Sequence, residues 1–279
     1  MKRFCCSRVT LLFDRYAAVR LSIVALTISG SLAFSQQLSV ITKMAANEEV
    51  ARAQQMQFSY TSEELSVRTG GHLWKEKVVE TGDGVLRRLI AIDGQDLMPD
   101  ARSAEERRIE DLVAHPDAFR YLEKAHREDE THATRLLEML PTAFVITPDG
   151  EQGGCVRFAF RPSPTFQAST YEERVLHVME GTVSIKEPED RLCVLQAQVS
   201  QPVEFGFGLL GKVNSGGRFS LTRAKVDANS WKTASISIHI DGRVLLLKTL
   251  SRDQESVRTN IHLVPQHLDL KQAAEMSLP

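Results

Sequence analysis

The sequence predicts a mainly β chain with an α-helical insert, in which a strongly curved antiparallel sheet packs on helices. Three observations point there. Apolar residues alternate at period two through many short segments, as in Val156, Phe158, Phe160, in Val203, Phe205, Phe207, and in Ile236, Ile238, Ile240. Turn residues such as Thr69-Gly70-Gly71, Gly82-Asp83-Gly84 and Asp241-Gly242 separate these segments with no helical crossover, which argues against a Rossmann-type parallel sheet. The period turns helical between residues 101 and 140, where 17 of the 40 residues are charged. About twelve candidate strands are more than a flat open sheet usually holds, so the sheet is expected to curl or close.

The N-terminus carries Lys2, Arg3, Arg8, Arg15 and Arg20, then the apolar run Leu21 to Leu32, then Ala33-Phe34-Ser35. A basic lead, an apolar core and a small-x-small site read as a secretory signal peptide over residues 1–35, cleaved near Ser35. An uncleaved anchor is the competing reading, against which the short apolar core counts. Cys5 and Cys6 lie far upstream of the cleavage point, so a lipid-anchored form is not expected. The expected location is the periplasm.

Residues 36–264 read as one domain and 265–279 as a C-terminal tail, either a weak helix or frayed. Over 38–56, Val40, Ile41, Met44, Ala45 and Ala51 share one helical face and leave Asn47, Glu48 and Glu49 outside. Three strands are expected at 57–68, 72–80 and 85–93. The insert 101–140 reads as a helical hairpin, with a capping box at Ser103 and Glu106 and with Pro116 in the first turn of its second helix. Phe119, Leu122, Leu136, Leu137 and Leu140 form the apolar stripe of that helix. Further strands are expected at 142–147, 153–161, 181–187, 191–199, 202–210, 217–227, 231–240, 243–252 and 257–263. In RLCVLQAQV, Cys193, Leu195, Ala197 and Val199 share a face. The turn Pro188-Glu189-Asp190 joins that strand to the one before.

Removing residues 1–35 takes five of 34 Lys and Arg and one of 36 Asp and Glu, leaving 29 against 35 and a net charge of −6. A mildly acidic chain lacks the basic footprint that nucleic acid requires, or a strongly cationic membrane-binding face. Two cysteines remain, Cys155 and Cys193, and an exported pair invites a disulfide. A simple meander, however, places them two strands apart, about 9–10 Å at roughly 4.8 Å per step. A disulfide needs Cα atoms within about 7 Å. Two small buried thiols are therefore the expectation.

Reactive constellations are weak. Gly206-Phe207-Gly208-Leu209-Leu210-Gly211 matches G-x-G-x-x-G, but Asn214-Ser215-Gly216-Gly217 and another strand follow where a dinucleotide site needs a helix. A glycine-relieved sheet edge is expected instead. His126 and His132, around Glu128, Asp129 and Glu130, are six residues apart and do not share a helical face, so surface pairs are expected and no metal site. No H-E-x-x-H, G-x-S-x-G or paired C-x-x-C pattern is present. The expectation is a non-enzymatic protein without a cofactor. Trp74, Phe158, Phe160, Phe205, Phe207 and Trp231 place aromatic groups on many strands. They read either as core or as the wall of an apolar cavity for acyl chains.

The stretch Met179-Glu180-Gly181-Thr182-Val183-Ser184-Ile185 leading into Arg191-Leu192, and Trp231 followed by Ile236-x-Ile238 and Asp241-Gly242-Arg243, resemble the LolA-like outer-membrane lipoprotein-sorting proteins. The resemblance covers nearly all of 38–264. It implies an incomplete antiparallel barrel closed by helices, with a hydrophobic cavity for lipid acyl chains or a lipoprotein and an envelope protein as partner. The implied role is to carry lipidated cargo across the periplasm. The alternative is a periplasmic interaction or sensor module on the same fold. The charged insert 101–140 departs from the family pattern.

Overall fold

The structure is a computed structural model that describes residues 38–127, 131–205, 211–244 and 252–278. Helix α1 spans 38–53. Strands β1 (Phe58–Ser66), β2 (Trp74–Glu80), β3 (Val85–Ile92) and β4 (Gln95–Asp96) follow. Next come α2 (Pro99–Ala114), α3 (Pro116–Arg127) and α4 (Thr131–Ala143), then β5 (Phe144–Gln152), β6 (Cys155–Pro162), α5 (Tyr171–His177), β7 (Met179–Lys186) and β8 (Arg191–Val199). The chain continues through β9 (Val203–Phe205), β10 (Gly211–Val213), β11 (Arg218–Lys225), β12 (Trp231–Ile240), β13 (Gly242–Val244), β14 (Arg252–Leu263) and α6 (Leu270–Met276).

Eleven strands form one antiparallel sheet in the order β4-β3-β2-β1-β14-β12-β11-β8-β7-β6-β5. The C-terminal strand β14 pairs with β1, so the N-terminal hairpins extend the meander that starts at β5. The edges β4 and β5 stay apart and the sheet is not closed into a barrel. Strands β9, β10 and β13 leave the meander to build a separate three-stranded sheet. The Asp241-Gly242 step is therefore not a hairpin between neighbours: Ile240 pairs with Arg252 of β14, while Gly242 pairs with Val213 of β10.

Paired residues in a ladder point to the same side. One row runs Phe158–Val183–Leu195–Leu221–Ile236–Ser256–Glu64–Trp74 across eight strands. The next runs Phe160–Gly181–Ala197–Phe219–Ile238–Gln254–Ser66. These rows mark the inner face. Lys232 of β12 reaches Glu80 of β2 at 2.6 Å with β14 and β1 between them. Three strand steps span about 14 Å, a gap that these two long side chains bridge together. Register shifts in β1, β2, β5, β7 and β11 pairings supply local bends of the kind that increase twist.

The main core lies under one end of the inner face. Ile41 and Met44 of α1 and Leu136, Met139 and Leu140 of α4 pack on Phe144, Ile146, Phe158, Phe160, Val183, Ile185 and Leu195. Each such fully buried aliphatic or aromatic side chain contributes roughly 1.5–3 kcal/mol. A second cluster joins Ile109 of α2, Phe119 of α3 and Leu270 and Ala273 of α6 to Val79 and Leu86. Val79 alternates with Val78, so α2, α3 and α6 cover the opposite face of the sheet at its other end. Gly181 sits between Phe160 and Ala197; a Cβ there would collide with the Gln196 carbonyl and lie 2.8 Å from the Ala197 Cα.

Several local expectations change. The insert holds three helices where a two-helix hairpin was expected: the break at His115 before Pro116 falls where the second helix was predicted to open, and that predicted helix is α3 and α4, with residues 128–130 between them outside the described residues. Helix α2 starts at Pro99 with Asp100 in its first turn, so Ser103 lies inside it and caps nothing. Pro116 does open α3. Leu122 is 55% exposed and leaves the predicted stripe, whereas Phe119 is buried. The tail holds a helix, α6, started by a reciprocal cap between Asp269 and Gln272 and anchored by Leu270.

The two cysteines are bonded, Cys155 to Cys193, with Cα atoms 6.7 Å apart. The expected pair of free thiols is wrong for a specific reason. A register shift between Ser184 and Ile185 sets Leu192 opposite Ile185, leaving Cys193 as the extra residue before Val194. Cys193 thus quits the face of Leu195, Ala197 and Val199. It joins Cys155 outside the main core, across β7, where Ser184 is buried.

Candidate functional site

The four of the six aromatic residues whose side chains are described, Trp74, Phe158, Phe160 and Trp231, do not enclose one space. Phe158 and Phe160 are buried in the main core, with Phe144 edge-on to Phe160 at 5.2 Å. Trp74 is half-buried seven ladder steps from Phe158, with the Arg68 guanidinium 5.3 Å from its ring. Trp231 is half-buried at the start of β12, with Arg191 at 5.9 Å. Phe205 ends β9, and Phe207 lies outside the described residues. A cavity of about 200 Å³ opens beside β5, lined by Leu38, Pro141, Phe144 and Ile146. Another of about 510 Å³ lies between α2 and α6, lined by Ile109, Val113, Ala274 and Leu278 with Arg88, Glu106 and Lys271.

The centre of the inner face is different in kind. Phe219 and Leu221 on β11 pair with Ile238 and Ile236 on β12 to give a two-by-two apolar block, and all four side chains are half-buried. Phe219 and Leu221 lean on the main core; Ile236 and Ile238 do not. Along β11, in phase with this block, comes Arg223, paired with Thr233.

Glu48 organises the charge there. Its Oε1 accepts a 2.8 Å hydrogen bond from Nε of Arg191 and another of 3.2 Å from the Leu192 amide, and its Oε2 lies 3.3 Å from Nη2 of Arg223. The side chains are 10%, 11% and 19% exposed for Glu48, Arg191 and Arg223. Glu48 was expected on the outer face of α1; it is turned inward because the helix crosses the start of β8. Arg223 also donates to the Trp231 carbonyl at 3.0 Å. Burial pushes the Arg223 guanidinium below its ordinary value; Glu48 opposes that, and repulsion from Arg191 and Arg258 adds to it. Arg258 stacks on Tyr60 at 5.0 Å. Nη2 of Arg191 and Nε of Arg223 are buried without a hydrogen-bond partner among the described residues.

A second charged set, near Trp74, is internally satisfied. Arg68 bridges Glu64 and Glu76 through four hydrogen bonds, and Arg87 stands 3.8 Å from Glu76. Burial raises the Glu64 carboxyl, but hydrogen bonds from Arg68 and Ser66 outweigh it and hold the group below its usual range. Lys232 likewise closes on Glu80, which accepts from Tyr60 and the Phe58 amide. Sequence reasoning missed all these residues. The available signal was phase: Glu64 shares the parity of Phe58 and Tyr60, and Arg223 that of Phe219 and Leu221.

Among the described residues no group of three or more His, Cys, Asp or Glu side chains is placed to hold a metal. His239, between Asp253 and Glu255 at 2.7 Å each, is a surface cross-strand pair. The acidic residues 128–130 of the predicted His126–His132 cluster lie outside the described residues. Gly211 opens strand β10, which pairs with β9 and β13, so a strand and not a helix follows the glycine motif; Gly206 and Gly208 lie outside the described residues. No helix among the described residues is long and apolar enough to cross a membrane. No protein-family model matches this chain, and no curated protein matches it significantly.

Proposed function

We propose that this is an exported, non-enzymatic binding protein that takes an acyl chain, of a lipid or of a lipidated protein, on the inner face of its sheet. The observation that carries the reading is the half-buried block Phe219, Leu221, Ile236 and Ile238 on an open sheet. Burying a methylene there is worth about 0.8 kcal/mol, so a short chain segment suffices for useful affinity. The Cys155–Cys193 bond suits an oxidising compartment such as the periplasm, in keeping with residues 1–35 as a leader. The resemblance to lipoprotein-sorting proteins points the same way, and carriage of lipidated cargo is the role that follows from it.

The test is purification of the protein from the periplasm, lipid extraction and native mass spectrometry, followed by titration with a fluorescent acyl probe. A bound lipid, or saturable probe binding weakened by Ile236→Asp, supports the reading. A protein free of lipid that ignores the probe points to the interaction module. That second reading has its own support: Tyr121 and Leu122 on α3 are 80% and 55% exposed, as a protein-docking helix would present them.

A further inference from the structure

We propose that Arg191 and Arg223 form the head-group site for an anionic amphiphile, whose carboxylate or phosphate completes the charge that Glu48 only half balances. The inference rests on the acyl-binding reading of the same face and adds the chemistry of the ligand's head. Two buried guanidinium groups share one carboxylate, and Arg258 adds a third positive charge within electrostatic reach. Desolvated charge without a partner is costly, so such groups are paired, coordinate a ligand or give up their charge. Arginine does not readily give up its proton. The orphaned Nη2 of Arg191, on a residue only 9% exposed, and the orphaned Nε of Arg223 are therefore donors short of an acceptor.

The elements around the pair specify more than a free anion. Guanidinium forks match planar or tetrahedral oxyanions through paired hydrogen bonds. Leaving Arg223 along β11, the same face presents Leu221 and then Phe219, a run of about 14 Å at roughly 3.4 Å per residue, flanked on β12 by Ile236 and Ile238. A head held at Arg191 and Arg223 sends its chain along that strip. Among the neighbouring charged sets, Lys232 is matched with Glu80, and Arg68 and Arg87 with Glu64 and Glu76; Lys225 pairs with Glu189 through Oε1, and the Glu189 Oε2 is buried without a partner among the described residues.

Isothermal titration of the protein with dodecanoate, dodecyl phosphate, neutral dodecyl maltoside, and acetate or inorganic phosphate alone tests this, all below their micellar concentrations. The expected result is that one or both anionic amphiphiles bind at least tenfold more tightly than the maltoside, with the chainless anions weaker than either. Which of the two binds better separates a fatty-acid-like head from a phospholipid-like one. In Arg223→Met the anionic preference should fall to within about twofold while maltoside binding persists, and Arg223→Lys should retain part of it. Equal affinity for charged and neutral heads overturns the head-group site but leaves acyl binding standing. No binding of any chain overturns both. If Arg223→Met fails to fold, Arg223→Lys and the wild-type head-group series still decide the matter.

Discussion

Nε of Arg191, the first residue of β8, donates a 2.8 Å hydrogen bond to Glu48 on α1, a contact spanning 143 positions of sequence. The same carboxylate caps the Leu192 amide and faces Arg223 of β11. One side chain thus pins the N-terminal helix over two strands.

Removing that carboxylate leaves two guanidinium groups buried with no counter-charge, a class of change that costs about 3–5 kcal/mol. Glu48→Leu is expected near the lower end of that range, and Glu48→Gln, which keeps an acceptor, at less than half of it. Urea denaturation followed by far-ultraviolet circular dichroism measures both. A loss under about 1 kcal/mol for Glu48→Leu would show that α1 is held by its other contacts, the packing of Ile41 and Met44 and the Asn47 hydrogen bonds to the Glu189 and Asp190 carbonyls.

The Cys155–Cys193 bond closes a loop with a sequence separation of 38. Loop-closure entropy for that length corresponds to about 3–4 kcal/mol. Cys193→Ser is expected to lower stability by most of that amount, and the denatured wild-type protein should titrate no free thiol at Cys155 or Cys193. Two reactive thiols there in protein recovered from the periplasm would contradict the pairing.

Gly181→Ala places a methyl group against the Gln196 carbonyl and the Ala197 backbone. Strands β7 and β8 must part, so a destabilisation of about 2 kcal/mol or more is expected. The midpoint of thermal unfolding reads it, and Gly150→Ala, whose Cβ meets nothing within 4 Å but at φ +86, is a useful comparison for backbone strain without the clash.

Glu64 is held below its ordinary value of 4.5, with the Arg68 and Ser66 hydrogen bonds prevailing over burial. A carboxyl whose folded value is depressed stabilises the fold above its unfolded value, and that contribution is lost as pH falls through the folded value. Stability should therefore decline on acidification below about pH 4.5. In Glu64→Gln the protein should start less stable at pH 7 and show a shallower acid decline; an unchanged slope would move the acid sensitivity to other carboxylates.

Much of the strand pattern was legible because alternation and turn residues are local. The segments around Phe158, Val183, Leu195 and Ile236 read correctly from parity, and Pro116 opened a helix as its fixed φ requires. The charged residues of the inner face did not read correctly. Glu48 is one helical step from Asn47 and Glu49 on a polar side, and nothing in α1 alone says that β8 and β11 bring arginines to it. The aromatic set shows the opposite error: Phe158 and Trp74 share parity and even a ladder row, yet one is sealed beneath α1 and α4 and the other lies seven strands away.

By itself the sequence determined a mainly β chain, most of its longer strands and the position of its main helical insert. Period, turn chemistry and proline geometry act within a few residues, so they are written where they operate. Tertiary structure alone decided that β14 pairs with β1, that β9, β10 and β13 leave the main sheet, and that Cys193 crosses to meet Cys155. Those outcomes depend on pairing register, and a one-residue shift, as at Ser184 and Ile185, reverses which face a side chain occupies without altering the local pattern.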